Sequence, residues 1–299
     1  MTRLQGCGTA LVTPMKLNGA VDFSALRALV EWQISEGIHF LVPCGTTGEA
    51  VTLSPEERVE VVSAVVEVAH GRTKVVAGAT SNDTRAAVAE AKRMGAAGAD
   101  YILSATPYYN KPTPEGLYRH FGAVADGAGR PVILYNVPGR TSVNMDAATT
   151  LRLAERAGIA GVKEASGNLG QIMDIINGRP ESFSVLSGDD ALALAIVALG
   201  GDGLISVASN EVPAPMARLI DSALKGTFEV ARPIHYRLLR LMNVNFIESN
   251  PIPVKAALHA MGKIESGIRL PLVALSEAKR PALLDALREA GVLTPVPSP

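Results

Sequence analysis

A chain of 299 residues, 47% of them hydrophobic, is long enough to bury a large core and too apolar to be disordered. Its formal net charge of -1, with no long block of one sign in either half, offers no basic stripe for nucleic acid or an anionic membrane surface. Two cysteines, Cys7 and Cys44, are too few for a disulfide framework and fit a reducing compartment.

The chain opens without an apolar signal core. Leu4-Gln5-Gly6-Cys7 has the look of a lipoprotein cleavage box, yet the residues before it cannot supply the apolar segment such a signal needs. Short apolar runs then alternate with longer amphipathic stretches. The runs are Ala10-Leu11-Val12, Phe40-Leu41-Val42, Lys74 to Ala77, Tyr101-Ile102-Leu103, Pro131 to Tyr135, Ile159 to Val162, Phe183 to Leu186 and Gly203 to Val207. Rich in β-branched residues and nearly free of polar groups, they predict strands buried on both faces. Between them, Asp22 to Glu36 carries Phe23, Leu26, Leu29, Val30 and Ile34 at helical spacing. Ser54-Pro55-Glu56-Glu57 supplies an N-cap, a proline at the first helical position and acids in the first turn. Further helices are predicted over Asp83 to Met94, Pro114 to Ala128, Asp146 to Ala157, Leu169 to Asn177, Asp190 to Leu199 and Pro213 to Leu224. Ala191 to Leu199, the longest strongly apolar stretch, is about half a membrane span. A soluble cytoplasmic protein is expected.

Strand–helix pairs repeated through about 225 residues predict a closed (β/α)₈ TIM barrel over residues 1–225. An open doubly wound sheet is the alternative. It would usually place a glycine-rich nucleotide turn after its first strand, and Thr13-Pro14-Met15-Lys16 is not one. Past residue 226 the strand signal stops. Phe228 to Met242, Pro253 to Met261 and Ser276 to Ala290 read as a C-terminal three-helix appendage over residues 226–299, with Pro295 to Pro299 a loose tail.

In such barrels the active site lies at the C-terminal ends of the strands. Lys163 closes the sixth strand in Gly161-Val162-Lys163-Glu164-Ala165. By alternation it shares a face with Ile159 and Gly161. If that face points inward, the amine sits where poor solvation favours its neutral, nucleophilic form. The competing role is a lysine snorkelling from a strand end. Lys16, Lys92, Lys111, Lys225, Lys263 and Lys279 fall in helices or loops and read as surface residues. Tyr135 ends the fifth strand, where a phenol can pass protons to a carbinolamine or simply pack in the core. Arg140, in the turn Pro138-Gly139-Arg140, can clamp a carboxylate or stand in solvent. Gly45-Thr46-Thr47-Gly48-Glu49 follows the second strand. Its glycines permit a tight turn that aims backbone N–H groups at an anion, with two hydroxyls beside them. It lacks the Lys-Ser/Thr ending of a phosphate loop. Tyr108 and Tyr109 follow the fourth strand and can reach the site or a neighbouring subunit. The five histidines are scattered, with no pair at ligand spacing and no Cys-x-x-Cys, so no metal is expected.

Taken together, Gly45-Thr46-Thr47-Gly48-Glu49, Tyr108-Tyr109, Tyr135-Asn136-Val137-Pro138 and Gly161-Val162-Lys163-Glu164 occur in order, each after a different predicted strand. This pattern resembles the dihydrodipicolinate synthase / N-acetylneuraminate lyase family of class I aldolases, from about Gly8 to about Leu270. The synthase branch is the nearer: the first hydroxyl of the turn is Thr46 where the lyases usually have serine, Arg140 is present, and Lys163 is followed by Glu164-Ala165-Ser166-Gly167. That branch joins pyruvate to aspartate β-semialdehyde on the route to diaminopimelate and lysine. The resemblance implies that Lys163 forms the imine with pyruvate. Tyr135, Thr46 and Tyr109 would form a proton relay, Tyr109 entering from the neighbouring subunit. Thr46 and Thr47 would hold the pyruvate carboxylate, Arg140 the semialdehyde carboxylate, and Gly188 and the Ile205 backbone would line the pyruvate pocket. It further implies a homotetramer built as a dimer of dimers, and no cofactor. Where lysine-inhibited synthases carry a histidine and a glutamate at the dimer interface, this chain has Pro55, Arg58 and Ala86, while Asn82 and Tyr108 remain. Two other readings stand beside this one: an aldolase or dehydratase of 2-keto-3-deoxy sugar acids or N-acetylneuraminate, needing polar groups near Gly188 and Ser209-Asn210, and a non-catalytic barrel, expected to have lost Lys163 or Tyr135.

Overall fold

The computed structural model describes residues 3–293. β1 (Gly6–Ala10), α1 (Phe23–Ser35), β2 (Phe40–Val42), α2 (Pro55–Ala69), β3 (Lys74–Gly78), α3 (Thr84–Ala96), β4 (Tyr101–Ala105) and α4 (Pro114–Ala128) make the first half of the barrel. The second half comprises β5 (Val132–Asn136), a one-turn α5 (Pro138–Thr141), α6 (Ala147–Ala154), β6 (Ile159–Glu164), α7 (Leu169–Gly178), β7 (Ser184–Ser187), α8 (Ala193–Ala198), β8 (Gly203–Ser206) and α9 (Pro213–Leu224). Each strand pairs in parallel with the next, and β8 closes on β1, so the molecule is a (β/α)₈ TIM barrel. α10 (Phe228–Val244), α11 (Ile252–Ala260) and α12 (Arg280–Glu289) follow. Among the described residues, no helix is long and apolar enough to cross a membrane.

Side-chain alternation sorts the strands into two apolar layers. Phe40, Val42, Val76, Leu103, Ile133, Tyr135, Leu186 and Ile205 fill the barrel interior. Leu41, Val75, Leu134 and Val162 point the other way, into a larger cluster shared with the surrounding helices. Leu238, Leu241, Met242 and Leu283 of the C-terminal helices belong to that same outer cluster. A polar tie adds to the seam: Asn245 Nδ2 donates to buried Glu211 at 2.7 Å, and burial pushes the Glu211 carboxyl well above the usual carboxylate range.

Two local departures from the sequence pattern have identifiable causes. The first strand lies over Gly6–Ala10, ahead of the apolar run Ala10-Leu11-Val12. It needs no bulky residues because its neighbours fill the space: a Cβ on Gly8 would sit 2.0 Å from the Phe40 ring, and one on Gly203 would sit 2.0 Å from the Gly6 carbonyl oxygen. Burying a side chain such as Phe40 is worth about 1.5–3 kcal/mol, so glycine on β1 is the cost of fitting that ring. The second departure is on β6. Val132 pairs with Ile159, but Ile133 pairs with Gly161, so the register slips by one residue at Ala160. A bulge of this kind reverses the alternation. Ile159 therefore joins the outer cluster, and only Gly161 and Lys163 keep the inward face that simple alternation assigned to all three.

Side chains also close the top of the barrel between β8 and β1. Asn210 Oδ1 accepts from the Val12 N–H at 3.1 Å while its Nδ2 donates to the Ala10 carbonyl at 2.8 Å. Ser209 Oγ donates to Thr9 Oγ1 at 2.9 Å. Buried Asp190 accepts from the N–H groups of Val207 and Ala208 and from the Ser206 hydroxyl. Asp190 is thereby spent on the β8 turn, and α8 begins only at Ala193 rather than at Asp190 as its helical pattern suggested.

Candidate active site

Tyr135 and Lys163 stand side by side at the C-terminal ends of β5 and β6, as register partners across the ladder. Lys163 is 6% exposed, and its Nζ lies 4.3 Å from the centroid of the Tyr135 ring. Among the described residues the amine forms no salt bridge; a phenol ring and a cavity are what it meets. Gly188, at the end of β7, makes room for it: a Cβ there would approach Lys163 Cε to 3.0 Å and Ala165 Cβ to 2.7 Å. The Gly188 N–H is spent on the Glu164 carbonyl at 2.7 Å, so its contribution to the pocket is space. Glu164, facing away from the interior, accepts from Asn136, Ser166 and Gln171 and so pins the strand end that carries Lys163.

The cavity over Lys163 has two lobes. The larger, about 250 Å³, reaches Ala10, Val42 and Leu103 of the barrel interior and is lined by Thr46, Arg58, Thr80, Tyr108, Tyr135 and Arg140 among others. The smaller, about 160 Å³, is lined by Thr47, Gly188, Asp189, Val207, Phe246 and Asn250. Thr46, Thr47, Tyr135, Arg140 and Lys163 border both. Arg58, Arg140 and Lys163 line the larger lobe without a carboxylate, whereas Asp189 lines the smaller, so it is the larger lobe that is electrostatically suited to organic anions.

The Gly45–Glu49 turn forms one wall. It is closed by Gly48 N–H to Gly45 O at 3.2 Å and Glu49 N–H to Thr46 O at 3.1 Å. The N–H groups of Thr46 and Thr47 have no partner among the described residues. The Thr47 hydroxyl accepts from Asn250 Nδ2 at 2.9 Å, which leaves its own proton to donate. Two amides and a hydroxyl proton thus remain for a carboxylate. Opposite, Arg140 stands on α5, and its guanidinium's one hydrogen bond among the described residues goes to the Asn250 carbonyl at 3.4 Å.

The remaining candidates are placed differently. Tyr109 is 88% exposed, has a backbone φ of 70°, and lines neither lobe; Tyr108 lines the larger one. Ile205 belongs to the barrel interior and lies outside both linings, while Val207, two residues later, lines the smaller lobe. Ser209 and Asn210 are turned into the β8–β1 seam and offer nothing to the cavity. Asn250, Phe246 and Asp189 do reach it, although nothing local marks them. Asn250 and Phe246 come from the segment between α10 and α11, brought to the mouth by tertiary folding alone. Asn250 Oδ1 is buried without a partner among the described residues.

A parallel barrel holding an amine beside a phenol, with anion-binding groups around them, has the equipment of an aldolase that works through a lysine imine. A model of the dihydrodipicolinate synthetase family matches residues 3–290, and the chain belongs to that family. It is 57% identical over 292 residues to the 4-hydroxy-tetrahydrodipicolinate synthase of Koribacter versatilis (strain Ellin345), covering 97% of each chain. It is 51% identical over 290 residues to the 4-hydroxy-tetrahydrodipicolinate synthase of Maridesulfovibrio salexigens, covering 97% of this chain and 99% of that one. Among solved structures, the chloride-inhibited dihydrodipicolinate synthase from Acinetobacter baumannii complexed with pyruvate aligns with a TM-score of 0.95 at 45% identity, over 97% of this chain and 99% of that one.

Proposed function

We propose that this protein is a lyase that condenses pyruvate, held as an imine on Lys163, with L-aspartate 4-semialdehyde, the 4-hydroxy-tetrahydrodipicolinate synthase reaction on the route to diaminopimelate and lysine. The observation that carries the reading is the buried Lys163 amine over Tyr135, bordering both lobes of a cavity that Arg140 also lines. The Lys163 lone pair attacks the pyruvate ketone, and protonation of the carbinolamine oxygen lets water leave. The resulting iminium withdraws electrons, a methyl proton is lost, and the enamine carbon attacks the semialdehyde. The product's own amino group then adds to the imine carbon and expels Lys163 as the ring closes. Atoms balance without a cofactor.

Thr46 and Thr47 take the pyruvate carboxylate, with Gly188 leaving space beside it, and Arg140 takes the semialdehyde carboxylate. Ile205 supports the pocket from the barrel interior. Tyr135, Thr46 and Tyr109 pass the protons. The exposure of Tyr109 and its left-handed backbone suit a side chain presented to a second copy, and we assign the protein a homotetramer, a dimer of dimers, acting in the cytoplasm. Pyruvate consumption with L-aspartate 4-semialdehyde, followed through a coupled reductase, tests the reading. Turnover supports it; a protein that forms the pyruvate imine yet turns over only keto-sugar acids refutes it. The inward commitment of Ser209 and Asn210 favours the synthase over the sugar-acid reading.

Feedback control by lysine is expected to be weak. Arg58 lines the larger lobe, as does Tyr108; the Arg58 Nε is 3.2 Å from Glu90 Oε1, and Ala86 offers no carboxylate. A cationic amino acid meets a guanidinium there. Initial rates measured against lysine should show no inhibition below millimolar concentration; half-inhibition well below millimolar contradicts this.

A further inference from the structure

The turn that faces the pyruvate carboxylate is gripped from the far side by the C-terminal helices. Glu49, its last residue, is 2% exposed and sits in the left-handed region at φ 54°. Its Oε1 accepts from Lys255 Nζ on α11 at 2.5 Å, and its Oε2 accepts from the Arg269 backbone N–H at 3.3 Å. Arg269 extends the grip along the chain. It donates to the Thr52 carbonyl at 2.7 Å and to both oxygens of Glu57, whose carboxyl it holds down to about 2. Glu57 also caps α2 by accepting from the Ser54 N–H at 2.9 Å.

Neither charge of the Lys255–Glu49 pair is needed for solubility, and withdrawing both from water is costly. An apolar pair would fill the volume at less expense. A buried pair fixes direction, however: the ammonium can meet the carboxylate in few positions, and Glu49 is two residues from Thr47. Neither residue is a plausible ligand. Glu49 lines neither lobe, and the Lys255 stem borders a separate cavity of about 230 Å³ with Ile252, His259 and Leu283.

We propose that Lys255 and Glu49 are positioning residues for the reaction: their buried contact holds the Gly45–Glu49 turn so that the Thr46 and Thr47 donors converge on the pyruvate carboxylate. This rests on the reading of that turn given under Proposed function. The C-terminal helices then contribute to substrate affinity through a residue that never touches substrate.

The double variant Glu49→Gln/Lys255→Met removes both charges without stranding one. Steady-state kinetics should show pyruvate KM raised by about tenfold or more with kcat within about threefold of wild type, and melting should stay cooperative. Glu49→Asp, which keeps both charges and shortens the reach by one methylene, should give the same split and serves if the double variant does not fold. A folded variant with wild-type KM overturns the positioning role. So does a parallel loss of kcat and thermal stability with KM unmoved, the signature of a merely structural pair. Trapping wild-type protein with pyruvate and borohydride separates the two layers: an untrapped wild type refutes the pyruvate reading and this inference with it, whereas a trapped wild type beside a kinetically silent double variant refutes this inference alone.

Discussion

Lys163→Ala should lose synthase activity by at least about 10⁴-fold, with pyruvate and borohydride leaving no adduct on the protein. The expectation follows from covalent catalysis: without the amine there is no electron sink for the methyl proton, and removing a nucleophile outright costs on this order or more. In barrier terms, 10⁴-fold is about 5.5 kcal/mol. The fold should survive. Lys163 holds no salt bridge among the described residues, and its aromatic neighbour, Tyr135, is retained with the rest of the interior cluster. Relief of the cost of burying an amine offsets the packing lost with its methylenes, so the thermal midpoint should stay within a few degrees of wild type. A variant that melts normally and yet retains turnover would contradict the imine mechanism.

Tyr135→Phe separates packing from proton transfer. The ring fills the barrel interior with Ile133, Leu186 and Ile205, and phenylalanine keeps that contact and the face presented to the amine. Only the hydroxyl goes. General acid–base assistance contributes about 10²–10⁴-fold, so kcat should fall by that range while thermal stability holds. Imine formation with pyruvate should slow, because the carbinolamine must lose water without its acid, but at long times borohydride should still trap Lys163. A wild-type kcat in this variant would assign the relay to other groups, and a complete failure to trap would point to a positional role for the ring.

The sequence made the barrel readable because periodicity is a local property. Runs such as Phe40-Leu41-Val42 and Pro131 to Tyr135 need both faces buried, whatever they pack against. Tyr135 was readable for the same reason, as the last residue of such a run, and Lys163 as the first polar residue after one. What was hidden depends on neighbours. β1 is a glycine strand because Phe40 occupies its side of the interior. The bulge at Ala160 arises in pairing with Val132 and Ile133, and it turns Ile159 outward while leaving Lys163 inward. Lys255 reads like any helical lysine until its Glu49 partner, 206 positions away, is placed beside it. Asn250 reaches the cavity by the same long-range closure. Tyr109 is exposed and lines neither lobe of the chain's own cavity, so the relay role proposed for it requires a second copy.

The most direct test of the central claim is to incubate the wild-type protein with pyruvate, reduce with borohydride, and map the modified peptide by mass spectrometry. A single adduct of reduced pyruvate on the peptide bearing Lys163, absent without pyruvate and absent from Lys163→Ala, is the predicted result. An unmodified protein, or an adduct on another lysine such as Lys255, would contradict it.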